Sequence, residues 1–190
     1  MVKYGDAVYA PIIADGEADV VVAFEKIEAL RWLKLLKAGG TLIVNDNEIL
    51  PIPVKMGKAS YPHDAIEQLR QTVEHVCPIR ATELAQQLGT IRVASIILLG
   101  ALVKKLGLEQ YDWTALICRK VPAKFLEANL KAYQVGLQSV SPALSLLIPH
   151  IFFLIFPIPC KCAPGPPRRV RICAAKFYMG KCWNFHPDMV

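Results

Sequence analysis

The sequence predicts an α/β fold with a largely parallel sheet, because one strand–helix–strand unit can be recognised between Ala18 and Asp46. Val20 to Phe24 is a continuous apolar run, typical of a strand covered on both faces. The next segment carries apolar residues at helical spacing, which predicts one buried stripe made of Ala29, Trp32, Leu33 and Leu36. A helix between two strands is the usual right-handed connection of a parallel pair.

Charges and glycines complete this unit. Four basic residues lie opposite the apolar stripe, where we expect them to be solvated: Lys26, Arg31, Lys34 and Lys37. Gly39-Gly40 can supply the positive φ that ends a helix. Thr41 to Val44 is then predicted to return to the sheet as a second strand.

The flanking segments predict further elements of the same kinds. Met1 to Ile13 is expected to form a hairpin or edge pair, and Gly100 to allow close helix packing. Between Ala65 and Leu137 the patterns predict five helices and one strand. The first helix starts at Ala65, is capped by Asp64 and buries Ile66, Leu69 and Val73, and it is followed by an edge strand, Val76–Ile79, that contains Pro78. The remaining helices are a short one capped by Thr82 and closed by Gly89, an apolar one over Ile91–Leu106 stopped by Gly107, one from Trp113 capped by Asp112, and a last one with Pro122 at its first position.

Composition divides the chain into a body, residues 1–140, and a tail, residues 141–190. With 190 residues and 54% hydrophobic residues, the chain suffices for one sizeable core. Residues 1–142 carry 16 Lys and Arg against 15 Asp and Glu, whereas residues 143–190 carry 6 against 1. The body therefore lacks the basic footprint of a nucleic-acid-binding protein. Two isolated cysteines in the body and no signal-peptide pattern indicate a cytoplasmic protein.

The tail is predicted to be irregular, poorly ordered and dispensable, because prolines interrupt it and no helical or strand period is visible. Its apolar run of about 17 residues is shorter than the roughly 20 of a spanning helix, so a membrane anchor is disfavoured. A zinc site is a weak alternative, since the spacing is not a paired C-x₂-C pattern. Its ligands would come from Cys160, Cys162, Cys173 and Cys182, with His150 and His186.

Two polar residues follow predicted strands of the body. Glu25 and Asn45 end the two strands of the recognised unit, and the carboxyl ends of parallel strands form the ligand crevice of open α/β sheets. Both are therefore candidates for cofactor binding. The alternatives are that Glu25 only complements a helix N-terminus and that Asn45-Asp46-Asn47 only forms a turn.

Asn129 is an amide on an otherwise apolar helix face that includes Phe125, Ala128, Ala132 and Gly136. Buried amides need partners, so Asn129 is either a satisfied core residue, which we favour, or part of a subunit interface. Lys124 lies one turn earlier, as a second interface candidate. His63 and His75 have no metal-ligand spacing and are expected at the surface, and the body shows no catalytic constellation.

Several segments of the body resemble a known family. They are Phe24-Glu25, Glu28-Ala29-Leu30-Arg31, Leu36-Lys37, Gly39 to Asn45, Ala81 to Ala85, Leu98 to Leu102 and Val121 to Tyr133. Their order and spacing are similar to the beta subunits of indolepyruvate ferredoxin oxidoreductases, within the gamma-type domain of 2-oxoacid:ferredoxin oxidoreductases. The similarity extends over about 135 of the 190 residues.

This resemblance implies a Rossmann-like three-layer domain that here lacks its first βα unit, including a Gly-rich GxGGQG turn. It also implies a hetero-oligomer with an alpha subunit that carries thiamine diphosphate and iron–sulfur clusters. The complex would oxidatively decarboxylate an aryl 2-oxoacid with coenzyme A, giving an acyl-CoA and reduced ferredoxin. This chain would then bind no cofactor and be inactive alone.

Two other hypotheses remain from the sequence. One is a free-standing nucleotide-binding Rossmann module, which would need the phosphate-binding turn that is not visible here. The other is a membrane-tethered interaction protein, in which the tail would be the functional part.

Overall fold

The structure is a computed structural model, which describes residues 1–4, 8, 10, 12–140 and 170–175. Short 3₁₀ turns follow the first helix at Leu33–Leu35 and precede the fifth at Ile91–Val93. The strands and helices are, in chain order, β1 Val2–Tyr4, β2 Ala18–Ala23, α1 Lys26–Trp32, β3 Leu36–Asn45, α2 Ile52–Lys55, α3 Ala65–Thr72, β4 His75–Ile79, α4 Ala81–Gln87, α5 Ala94–Leu106, α6 Trp113–Lys120, α7 Ala123–Gln138 and β5 Val170–Ala175.

The strands form one sheet in the order β1-β5-β2-β3-β4. Strands β5, β2, β3 and β4 are parallel, and β1 is antiparallel to β5. The predicted α/β class with a largely parallel sheet is therefore confirmed. Strand β4, which contains Pro78, lies at one edge as predicted, where a missing backbone N–H is tolerated.

Side chains alternate between the two faces of the sheet, so the domain has three layers. Val20, Val22 and Ile43 point into a large core that is completed by α4, α5, α6 and α7. Val21 and Leu42 point into a smaller core under α1 and α3. Both faces of β2 are covered by apolar layers, which agrees with the continuous apolar run from Val20 to Ala23.

The large core depends on a close crossing of α5 and α7. A Cβ atom added to Gly100 would lie 2.5 Å from the carbonyl oxygen of Tyr133, and one added to Gly136 would lie 2.1 Å from that of Ile97. Carbon atoms do not approach oxygen that closely, so both positions require glycine. The close packing expected of Gly100 is confirmed.

Two helix ends with a local chemical signal were predicted correctly, whereas the side chain of Asp64 makes no cap hydrogen bond to α3. Gly107 has φ +63° and ends α5, and the carboxylate of Asp112 accepts a hydrogen bond from the backbone N–H of Ala115 at 2.8 Å. Ile66, Leu69 and Val73 are buried as predicted. Thr82 does not cap α4, because the helix begins at Ala81 and Thr82 lies inside it.

The predicted end of the first helix was wrong. Helix α1 ends at Trp32, and Gly39-Gly40 lies within β3 instead of closing a helix. Leu36 pairs with Ala18 and Thr41 pairs with Val20, so β3 carries three extra residues between these pairs. Such a bulge uses the positive φ of Gly39, +69°, which sequence analysis assigned to a helix C-terminus.

Two further differences concern the ends of the chain. β1 pairs with β5, not with a neighbouring hairpin strand among the described residues. Val170–Ala175 forms a strand inside the tail that was predicted to be irregular, so that prediction was wrong for these six residues. The tail's remaining residues, with the apolar run, lie outside the part of the chain that the structure describes.

Candidate functional site

Polar side chains gather where the parallel strands β2, β3 and β4 end. Six of them form what we name the carboxyl-edge cluster: Glu25, Lys26, Asn45, Glu48, Tyr61 and His63. The cluster occupies the edge at which open α/β sheets bind ligands. Sequence analysis proposed Glu25 and Asn45 for this edge, and the structure brings both there.

Glu25 is almost completely buried, with 3% of its surface exposed. One carboxylate oxygen accepts a hydrogen bond from the backbone N–H of Glu28 at 3.1 Å and so caps the N-terminus of α1. The other oxygen accepts a hydrogen bond from the hydroxyl of Tyr61. The alternative in which Glu25 complements a helix N-terminus thus fits the geometry. In addition, Glu25 accepts a hydrogen bond from a buried phenol, that of Tyr61.

Tyr61 is itself buried. Burial raises the pKa of its hydroxyl far above the usual range, and the hydrogen bond and negative charge of Glu25 raise it further. Tyr61 therefore stays protonated and acts as a hydrogen-bond donor. Because its partner lies 36 residues away, no local pattern in the sequence could have pointed to it.

Lys26 is buried, although sequence analysis placed it on the solvated side of α1, and this expectation was wrong. Its ammonium group lies 2.7 Å from a carboxylate oxygen of Glu48 and 3.3 Å from one of Asp46. Burial alone would lower the pKa of Lys26, but the hydrogen bonds to Glu48 and Asp46 outweigh it, and the pKa is raised. Lys26 is thus a charged group at the centre of the cluster.

The exposed rim of the cluster consists of Glu48 and His63. The Nδ1 atom of His63 lies 3.3 Å from the same Glu48 oxygen that Lys26 contacts, and the His63 side chain is 73% exposed. The hydrogen bond from Lys26 holds the pKa of Glu48 below its usual range. The rings of His63 and Tyr61 lie 5.3 Å apart between centroids. His63 is at the surface, as predicted, yet belongs to this network.

Asn45 ties three elements together. Its Nδ2 atom donates to the carbonyl oxygen of Phe24 at 3.2 Å and to the hydroxyl oxygen of Thr82 at 2.8 Å. Its Oδ1 atom accepts from the backbone N–H of Thr82 at 3.2 Å. Since the side chain is buried and these bonds hold the ends of β2 and β3 against α4, the amide has a positioning role in the cluster.

Asn129 does not lie in the core, contrary to the interpretation favoured from the sequence. It is half-buried on α7, and its Nδ2 atom donates to the carbonyl oxygen of Phe125, one turn earlier, at 2.8 Å. Phe125 is 41% exposed, and the ammonium of Lys124 lies 4.8 Å from the centre of its ring. Further along the face, Ala132 and Gly136 are buried against α5.

An open groove of about 510 Å³ lies on the side of α7 that faces α4 and α6. Apolar and polar side chains line it together: Leu88, Thr114, Leu130, Lys131, Gln134 and Val135. Phe125 and this groove give α7 two partly apolar surfaces.

The described part of the chain offers few side chains that could bind a metal ion or an iron–sulfur cluster. Residues 12–140 contribute Cys77, which is half-buried, and Cys118, which is exposed, whereas an iron–sulfur cluster takes about four thiolates. No group of three or more His, Cys, Asp or Glu among the described residues could hold a metal ion. Cys160, Cys162 and Cys182 lie outside the described residues, as do His150 and His186, and Cys173 is described only by its backbone in β5.

Burial raises the pKa of the Cys77 thiol, and the nearby ammonium of Lys105 only partly opposes this effect. Cys77 therefore lacks the lowered pKa that is typical of a reactive thiol. Within the described ranges, no helix combines the length and apolar character that crossing a membrane requires.

Comparison with known proteins gives consistent matches. Residues 2–139 match the protein family described as pyruvate ferredoxin/flavodoxin oxidoreductase. The indolepyruvate oxidoreductase subunit IorB of Pyrococcus horikoshii is 34% identical over 152 residues, and that of Thermococcus kodakarensis is 32% identical; each alignment covers 76% of this chain and 74% of the relative. The gamma subunit of keto/oxoacid ferredoxin oxidoreductase from Geobacter sulfurreducens superimposes with a TM-score of 0.48 at 23% identity, over 73% of this chain and 78% of that chain.

Proposed function

This chain belongs to the pyruvate ferredoxin/flavodoxin oxidoreductase family, and from this we propose that it serves an enzyme that oxidises aryl 2-oxoacids such as indolepyruvate. It is a subunit of a 2-oxoacid:ferredoxin oxidoreductase. The observation that carries the choice of substrate is the set of relatives at 30–34% identity, each of which is named for indolepyruvate.

The proposed reaction joins the acyl group of the 2-oxoacid to the thiol of coenzyme A. The carboxylate leaves as carbon dioxide, and the two electrons that remain are passed to ferredoxin. Thiamine diphosphate, when bound in the complex, would supply the carbanion stabilisation that such a decarboxylation needs. Iron–sulfur clusters are the usual route for single electrons, but residues 12–140 do not fit a cluster, because they supply two cysteines and a cluster takes about four thiolates.

We therefore assign thiamine diphosphate and the clusters to an alpha subunit that pairs with this chain. The subunit names of the relatives support such a hetero-oligomer. A reaction that reduces ferredoxin also suits the cytoplasm, where we place the complex.

In this proposal, the role of the chain is to position the side chains of the carboxyl-edge cluster. The buried members Glu25, Lys26 and Tyr61 form the polar floor of the cluster, because each is held by hydrogen bonds or ion pairs within the chain. Glu48 and His63 are the members that reach solvent. We propose that this rim faces the partner subunit or its substrate. We also propose that the α7 surface around Phe125, with Lys124 and Asn129, is a second contact with the partner subunit.

The test is reconstitution. The chain should be produced alone and together with the alpha-type subunit encoded by the same genome, and each preparation assayed for viologen reduction with indolepyruvate and coenzyme A. We expect activity only from the pair, and a lower kcat/KM when pyruvate or 2-oxoglutarate replaces indolepyruvate. Activity of the isolated chain would contradict the cofactor assignment, and a preference for pyruvate would contradict the substrate.

A further inference from the structure

The sheet contains a strand that arrives from far along the chain. β5 begins about 30 residues after the end of α7, yet it lies between β1 and β2, in the interior of the sheet. The strands β2, β3 and β4 instead follow one another in the chain and are joined through helices. β5 is thus a separate segment that docks into a position which the rest of the domain leaves between β1 and β2.

The docked segment is held on both sides. Along β2 the pairs run in parallel from Val20 with Ile172 to Ala23 with Ala175. On its other side, β5 pairs in antiparallel register with β1, from Val2 with Ile172 to Tyr4 with Val170. Ile172 is 4% exposed and belongs to the large core with Val20.

Without this segment, β2 would be an edge. Its last four residues, Val20 to Ala23, would present unpaired backbone N–H and C=O groups along an aliphatic surface. β1 would also lose its pairing, because among the described residues β1 pairs only with β5. The requirement at this position is therefore specific: an extended segment, parallel to β2, with an aliphatic residue opposite Val20.

We propose that the edge of β2 is a strand-binding site and that Val170–Ala175 of the same chain is its ligand, tethered by residues 141–169. The tail then has a defined task, the closure of the sheet beside the strand that ends at Glu25. A site of this kind recognises backbone hydrogen-bonding groups, and position 172 provides the side-chain selectivity. The proposal does not depend on the enzyme activity.

Register gives a direct test in the full-length protein. Val21 lies opposite Cys173, and Val22 lies opposite Ala174. Adjacent strands are about 4.8 Å apart, and disulfides span Cα separations of about 4.4–6.8 Å. Val21→Cys should therefore form a disulfide with Cys173 on oxidation, whereas the control Val22→Cys should not. Both valines are buried, so the two substitutions disturb the core to a similar extent.

Peptide mapping and gel electrophoresis without reductant separate the outcomes. A disulfide between the introduced thiol of Val21→Cys and Cys173 within a monomer supports the proposal. The same bond in a covalent dimer would mean that the site takes the segment of a second copy, which overturns the tethered form. Equal cross-linking of Val21→Cys and Val22→Cys, or none with Val21→Cys, would mean that the segment does not occupy this position in solution.

A second measurement uses the full chain with Ile172→Asp, which places a carboxylate in the core. Amide hydrogen exchange of Val20 to Ala23 should become at least about tenfold faster, while α5 keeps its protection. The matched control is Ile52→Asp, because Ile52 is 73% exposed. A synthetic peptide of residues 168–177 should restore protection to the Ile172→Asp protein and not bind the wild type. Unchanged exchange in β2, or equal peptide binding to both proteins, would overturn the proposal.

Discussion

The hydroxyl of Tyr61 must keep its proton for the hydrogen bond to Glu25 to exist. Both groups are buried, so an ionised Tyr61 would place two negative charges side by side in the interior. The surrounding chain therefore resists deprotonation of this phenol. Resistance to deprotonation in the folded state has a measurable effect on stability at high pH.

We predict that the free energy of unfolding falls as the pH rises above 10. The pKa of Tyr61 is raised in the folded protein above the value of 10.0 that applies to an unfolded chain. In that range the unfolded state has lost its proton and the folded state has not, so each pH unit costs up to about 1.4 kcal/mol for this group. Denaturant titrations between about pH 8 and 11.5 measure the slope.

Tyr61→Phe serves as the comparison, since it removes the titrating group and keeps the ring. It should lower stability at pH 7 by about 1–2 kcal/mol, because a Glu25 oxygen loses its donor, and should show a shallower decline above pH 10. Tyr133, whose pKa burial raises to about 12, contributes a similar background to both proteins. Parallel slopes for the two proteins would contradict the assignment to Tyr61.

Asn129 permits a test of the α7 surface. Its amide donates only to its own helix in the described structure and is half-buried, so Asn129→Leu should change stability by no more than about 0.5 kcal/mol. If the surface binds the alpha subunit, the same change should weaken that binding by about 1–2 kcal/mol, roughly five- to thirtyfold in Kd.

The control for this experiment is Gln138→Leu, an equally apolar change at an exposed position near the end of α7. It should leave the binding unchanged. Thermal unfolding and titration of the labelled alpha subunit give the two quantities. An unaffected Kd for Asn129→Leu would remove this surface from the interface.

At the scale of elements, the contact between α5 and α7 is set by backbone against backbone. Gly136→Ala should destabilise the protein by about 3 kcal/mol or more, because the new methyl group would overlap the Ile97 carbonyl and force the helices apart. Gly100→Ala should cost somewhat less, since the overlap with Tyr133 is smaller.

The variant Gly107→Ala separates the cost of steric overlap between the helices from the cost of backbone strain. A Cβ at Gly107 meets open space, and only the positive φ of +63° is unfavourable, which costs about 1 kcal/mol. Urea unfolding of the three variants should therefore rank Gly136→Ala as most destabilised and Gly107→Ala as least. If Gly136→Ala were no worse than Gly107→Ala, the helices would be able to separate without loss.

Sequence reasoning succeeded where one short segment contains the whole signal. Asp112 caps the helix that follows it, and Gly107 ends the helix before it, because both effects act within one turn. It failed at Gly39-Gly40, since positive φ occurs both at helix ends and in bulges, and only the pairing of Leu36 with Ala18 decides between them.

The carboxyl-edge cluster was half predictable for a related reason. Glu25 and Asn45 could be found, because the ends of parallel strands can be recognised locally. Tyr61 and Glu48 come from the connection between β3 and α3, and their partners Glu25 and Lys26 lie 36 and 22 residues away. Periodicity carries no information about such contacts. The burial of Lys26 likewise follows from two carboxylates that the sequence does not place beside it.

At the scale of the molecule, the tail participates in the sheet. We predict that a chain ending at Val140 will associate or aggregate at micromolar concentrations, because β2 becomes an unpaired aliphatic edge. A chain ending at Ala175 keeps β5 and should behave in light scattering like the full-length protein. Identical behaviour of all three chains would restore the expectation that residues 141–190 are dispensable.

The position of β5 also sets an order of events during synthesis. About 150 residues separate Val20 from Ile172, its partner in the sheet, and ribosomes add about 5–20 residues per second. The β2 edge of a nascent chain is therefore complete roughly 8–30 s before its partner strand is made. β3 and β4 join the sheet in the meantime, so β5, which is translated late, joins a sheet whose other parallel strands are already paired. Until then the nascent chain exposes an aliphatic strand edge, which is the surface that a chaperone would have to shield.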